Sequence, residues 1–209
     1  MKFEPALKLA LAALALCTAL PASALVVDTG PGESQGSGAA SLYDYRPQQV
    51  RFQQLAAEFT VTENSRIESV AGWMYWYAAG SLSFAIYANI NGIGTPGERL
   101  FSTVAEIEAT GNAPDWRGAA GLNWSLAPGQ YWLVFADVAA DPAQGSIPGG
   151  AAFPLSGYAF QTEISNGWVR YTPPFANFGV RINTPIPEPS TVLLMTLGGI
   201  ALIGRMRRR

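Results

Sequence analysis

Apolar and polar positions alternate along much of the chain. Leu82, Phe84 and Ile86 alternate with Ser81, Ser83 and Ala85, and Phe178, Val180 and Ile182 with Gly179, Arg181 and Asn183. A period of two puts each set on its own face of a pleated strand, so both segments read as half-buried strands. The pattern predicts further strands at Ala56 to Val61, Ile67 to Tyr77, Leu100 to Glu108, Gly118 to Trp124, Gln130 to Asp137, Tyr158 to Gln161 and Gly167 to Tyr171. Turn-forming groups punctuate them: Asn91-Gly92, Thr95-Pro96-Gly97, Ala127-Pro128-Gly129 and Asn166-Gly167. No amphipathic helix is legible between the two termini. Many short strands with frequent turns predict an all-β fold, an antiparallel β-sandwich of jelly-roll type. The sandwich is expected over residues 42–184. A flexible segment at 25–41 precedes it, because Thr29 to Ser41 is thick with Gly, Ser and Pro.

The two ends break the pattern. Lys2 and Lys8 flank the start of an apolar run from Leu9 to Leu20, too short to span a bilayer comfortably. Pro21 ends the run, and Ala22-Ser23-Ala24 has the small-residue spacing of a signal-peptidase site. Residues 1–24 therefore read as a signal peptide, with Ala22 and Ala24 at the cleavage site and Leu25 as the mature N-terminus. At the other end, Pro187-Glu188-Pro189-Ser190-Thr191 precedes the apolar run Val192 to Ile203 and then Gly204-Arg205-Met206-Arg207-Arg208-Arg209. Twelve residues rise only about 18 Å as a helix, short of a ~30 Å hydrocarbon core. Flanking residues extend the helix to about 190–206. Arg205, Arg207, Arg208 and Arg209 act as a membrane stop that stays cytoplasmic, which leaves the domain outside. Pro187 and Pro189 keep the helix from running back into the domain.

Pro-Glu-Pro, a short apolar helix and a terminal arginine cluster, in that order over residues 186–209, resemble the PEP-CTERM sorting signal. The resemblance implies recognition of Pro187, Glu188 and Pro189 by exosortase, a membrane protease, in Gram-negative bacteria that make exopolysaccharide. Phe84-Ala85-Ile86-Tyr87, Gly94-Thr95-Pro96-Gly97 and Leu126-Ala127-Pro128-Gly129-Gln130-Tyr131-Trp132 also resemble β-sandwich domains found on PEP-CTERM proteins. Further partners are then the Sec translocon, signal peptidase, the inner membrane and exopolysaccharide. The expected course is transient anchoring in the inner membrane, facing the periplasm, followed by the cell surface or extracellular matrix.

Composition narrows the chemistry. Charged residues are 13% of the 209 in the chain, against the usual ~25%. Residues 25–184 hold seven arginines, no lysine and thirteen carboxylates, a net charge of −6. Such a domain repels phosphate backbones, so nucleic acid is not an expected partner. Histidine is absent, and the single cysteine, Cys17, lies in the signal segment. Ser-His-Asp, Ser-Lys and thiol catalysis are thereby excluded from the mature domain, as are Cys/His zinc sites. No cofactor or metal is expected.

Three groups of residues remain. Paired carboxylates at Glu106 and Glu108, or Asp137 and Asp141, would suit a secreted glycoside hydrolase, but they look like solvated surface acids. Asn89-Ile90-Asn91-Gly92 could offer oxygens to Ca²⁺ and is more simply a turn. Ile67 to Tyr77 places Trp73, Tyr75 and Tyr77 on one face and Met74 and Trp76 on the other. One face must fill the core. The other is covered by a loop or forms an aromatic patch for stacking on sugar rings. The expected function is that of a non-catalytic surface or matrix protein, associated with exopolysaccharide or biofilm. The alternative is the carboxylate-dependent hydrolase.

Overall fold

The computed structural model describes residues 23–32, 40–41, 43–46, 49–90, 94–111, 113–138, 140, 144–151, 155–162, 165, 167–171 and 178–185. These form strands and connections, with no helix among them. In chain order the strands are β1 (Ser23–Asp28), β2 (Ala40–Ser41), β3 (Tyr43–Arg46), β4 (Gln49–Val61), β5 (Ser65–Ala78), β6 (Gly80–Asn89) and β7 (Pro96–Ile107). They continue as β8 (Asp115–Leu126), β9 (Gly129–Asp137), β10 (Gln144–Ile147), β11 (Tyr158–Thr162), β12 (Val169–Tyr171) and β13 (Val180–Pro185). The compact unit they build is Leu25–Thr184.

Two antiparallel sheets share one core, consistent with a β-sandwich. The six-stranded sheet runs β1-β13-β5-β10-β2, with β8 also paired to β5. The seven-stranded sheet runs β12-β11-β4-β9-β6-β7, with β3 paired to β4. The alternation read in the sequence sets which side chains meet. Leu55, Phe59, Phe84, Ile86 and Phe135 project from the seven-stranded sheet onto Val70, Met74, Trp76, Val180 and Ile182 of the other. Phe135 is the hub: Phe84 and Phe178 both meet it edge-on, at 5.6 and 6.1 Å between ring centroids. Rings of this size contribute most of the buried apolar area, and edge-on contact adds about 0.5–1.5 kcal/mol per pair.

Each strand predicted from the alternation coincides with an observed one, and Ala127-Pro128 turns β8 into β9. Thr95-Pro96-Gly97, read as a turn, instead opens β7: Pro96 is its first residue, where a missing N–H costs no ladder bond. β1, β2, β3 and β10 were not anticipated. β10 (QGSI) carries no alternation, and β1 follows so closely in sequence on the apolar N-terminal run that its own pattern is obscured. The segment expected to be flexible at 25–41 thus adds an edge strand to the six-stranded sheet. Thr29, directly after β1, is buried; its hydroxyl accepts the Val180 N–H at 2.7 Å and donates to the Phe178 carbonyl at 2.9 Å. The helices expected over 1–24 and about 190–206 lie outside the described residues, as does the Asn91-Gly92 turn.

Candidate functional site

The pleat of β5 buries Met74 and Trp76 completely and turns Trp73, Tyr75 and Tyr77 to the outer face of the six-stranded sheet. Alternate residues of a strand stand about 7 Å apart; the Tyr75 and Tyr77 rings are 6.3 Å apart. Exposure rises along the row. Trp73 and Tyr75 are half-buried, and Tyr77 is 52% exposed. Trp116 on β8 lies opposite Trp73 in the ladder and meets it edge-on at 5.5 Å. Arg181 of β13 reaches over β5 and lays its guanidinium on the Trp116 ring, Cζ 3.9 Å from the centroid. Ala71 and Gly118, in register between them, are small enough to leave that path open. Asp28 of β1 engages the same guanidinium, accepting from Nε at 3.3 Å on Oδ2.

This arrangement decides which rings can meet a ligand. Arg181 covers one face of Trp116. Gly179 brings backbone against Trp73, where a Cβ would collide with the Trp73 Cβ. The Trp73 indole nitrogen is buried with no hydrogen-bond partner. Trp73 and Trp116 therefore form a packed base, and Tyr75 and Tyr77 form its accessible end. The charge pair beside these rings is Asp28–Arg181; Asp115 and Arg117 flank Trp116 on β8 and leave the sheet on the opposite face, where they pair at 2.6 Å. The surface thus offers flat apolar rings with hydroxyl tips beside one self-neutralised ion pair. That chemistry suits stacking on the apolar face of a sugar.

The carboxylates behave differently from one another. Glu106 (opposite Ser81 on β6) and Glu108 are exposed. Asp137 ends β9 on the face that carries Leu133 and Phe135 into the core. Both its oxygens are buried without a hydrogen-bond partner, and desolvation pushes its pKa up to about 7. Asp141, its expected partner, lies outside the described residues. No group of three or more His, Cys, Asp or Glu side chains able to hold a metal occurs among the described residues. Of the expected Ca²⁺ loop, Asn91 and Gly92 are outside that set, and the Asn89 amide is already engaged. It donates to Gln130 Oε1 at 3.1 Å and accepts the Trp132 indole N–H at 3.2 Å.

The outer face of the seven-stranded sheet carries a feature that sequence reading missed. Glu58 is 3% exposed and pairs with Arg170, 112 residues away, at 2.7 Å. Arg170 sits 6.0 Å from the Trp132 ring and fills the space beside Gly94, which needs a left-handed φ of 63°. A Cβ at Gly157 would strike the Glu58 carboxylate. Trp132, fully buried, packs with Ala56, Val134 and Ala159, and Tyr87 and Trp168 close over that cluster. The one signal was a carboxylate inside the otherwise apolar run Leu55-Ala56-Ala57-Glu58-Phe59. The network is filled and self-satisfied, which marks it as a lock between β4 and β12 rather than a ligand site.

The remaining expected site residues belong to the ends. Ala24 is in β1; Ala22, Pro187, Glu188, Pro189 and the arginines 205, 207, 208 and 209 lie outside the described residues. Residues 185–209 match the PEP-CTERM protein-sorting motif. The motif implies a secreted protein that is transiently anchored in a membrane and processed by exosortase. Searches of curated proteins and of solved structures give no match for the chain. Among the described residues no helix is long and apolar enough to cross a membrane.

Proposed function

We propose that this PEP-CTERM chain is a non-catalytic surface or matrix protein that contacts exopolysaccharide through the outer face of its six-stranded sheet. The observation that carries the proposal is the aromatic row on the outer face of β5, half-buried at Trp73 and Tyr75 and exposed at Tyr77. Export through the Sec translocon, removal of residues 1–24 by signal peptidase, and anchoring of a helix at about 190–206 in the inner membrane complete the route. Cleavage near Pro187-Glu188-Pro189 then frees the domain. A jelly-roll winding of the two sheets belongs to the same reading. Asp137, with its raised pKa, is the group a hydrolase would use as general acid. It favours that second reading only weakly, because it faces the core and glycoside hydrolysis needs a second carboxylate within about 5–10 Å.

Two measurements test the proposal. Cells with and without exosortase are fractionated; uncut protein is expected in membranes when the enzyme is missing, and its absence there would refute the sorting route. The released domain is then titrated with the producer's exopolysaccharide. Replacing Tyr75 and Tyr77 together with alanine should remove binding, at about 1 kcal/mol or more per ring, while Asp137→Asn should leave it unchanged. Equal binding by the double variant would refute the glycan face.

A further inference from the structure

The processing site follows closely on folded structure. β13 ends at Pro185, and Pro187 of the sorting motif comes two residues later in the chain. β13 is not an edge strand: β1 flanks it on one side and β5 on the other. On the β1 side, the Thr29 N–H donates to the Val180 carbonyl at 3.1 Å, the Thr29 hydroxyl bridges Phe178 and Val180, and Asp28 pairs with Arg181. On the β5 side, Val180 to Asn183 stand in register with Gly72 to Ser69, and the Asn183 amide donates to Ser69 Oγ at 2.8 Å. Asn183 is therefore tied down by side chain and ladder only four positions before Pro187.

Proteins commonly capture peptides as extended strands, through main-chain hydrogen bonds. A strand already paired on both sides has no free main-chain edge to offer such a site. We infer that the end of β13 gates release: exosortase acts after Asn183 peels from β5 and the strand end from β1, so local fraying of this strand limits the rate of cleavage. The gate presupposes exosortase processing, as proposed above. It adds a specific control on that step, namely a strand paired on both sides that ends two residues before the motif in sequence.

The full chain, co-expressed with exosortase and followed by pulse-chase, tests the gate. A six-residue Gly/Ser spacer inserted between Ile186 and Pro187 leaves β13 intact and should speed release. Asn183→Ala, which removes the bond to Ser69, should speed release about fivefold at native spacing. In the spacer background it should have no further effect. If the spacer leaves the rate unchanged or lowers it, the gate is wrong even though sorting stands. If neither the native chain nor the spacer variant is cut, exosortase processing fails, and the gate with it.

Discussion

Replacing Asp137 with asparagine should stabilise the domain at neutral and alkaline pH and do nothing in acid. Asp137 lies on the core-facing side of β9 beside Leu133 and Phe135, and its two oxygens are buried without partners. Desolvation raises its pKa from 3.8 to about 7. The sign follows from linkage. Below pH ~4 both folded and unfolded chains hold the proton, and the carboxyl carries no penalty. Between ~4 and ~7 the unfolded chain ionises while the folded one resists, so stability falls as pH rises. Above ~7 the penalty is complete. About three pKa units at 1.36 kcal/mol each would amount to ~4 kcal/mol; the side chain is only partly buried, and solvent screening lowers this to about 2. Asparagine keeps the shape and never ionises. Urea denaturation of Leu25–Thr184 across pH 3.5–8.5 should show the two proteins equal near pH 3.5. By pH 8 Asp137→Asn should lead by about 2 kcal/mol, or roughly 5 °C in Tm. A gap independent of pH, or a variant less stable at pH 8, would refute the placement of this carboxyl.

Other substitutions probe the packing around the two outer faces. Arg170→Met strands the buried Glu58 carboxylate and should cost about 3 kcal/mol, whereas Glu58→Gln leaves a guanidinium that still reaches solvent and should cost about half as much. Chemical denaturation of the pair measures that asymmetry, and equal losses would argue against a buried Glu58. Gly179→Ala pushes a methyl into Trp73 and should cost about 1–3 kcal/mol, seen as a lower urea midpoint; no loss would mean that Trp73 is not packed there.

Two kinds of information were legible in the chain itself. The strands of both sheets could be read because alternation is a local property: each residue's face follows from its neighbours two positions away. Hence Ile67 to Tyr77 and Gln130 to Asp137 were placed before any partner was known. The sorting motif was legible because Pro187-Glu188-Pro189, the apolar run and the arginines act as contiguous chemistry. Alternation does not say which face turns inward. Only packing of one sheet on the other decided that Met74 and Trp76 fill the core while Tyr77 lies on the exposed face, and that Asp137 points the same way as Phe135. Nor does it pair distant residues. Glu58 with Arg170, Asp28 with Arg181 and Trp73 with Trp116 come together because strands far apart in sequence are neighbours in a sheet. β1 is the plainest case. Six residues next to an apolar N-terminal run have no period of their own to reveal them, and they become a strand because β13 supplies the hydrogen-bonding edge they complete.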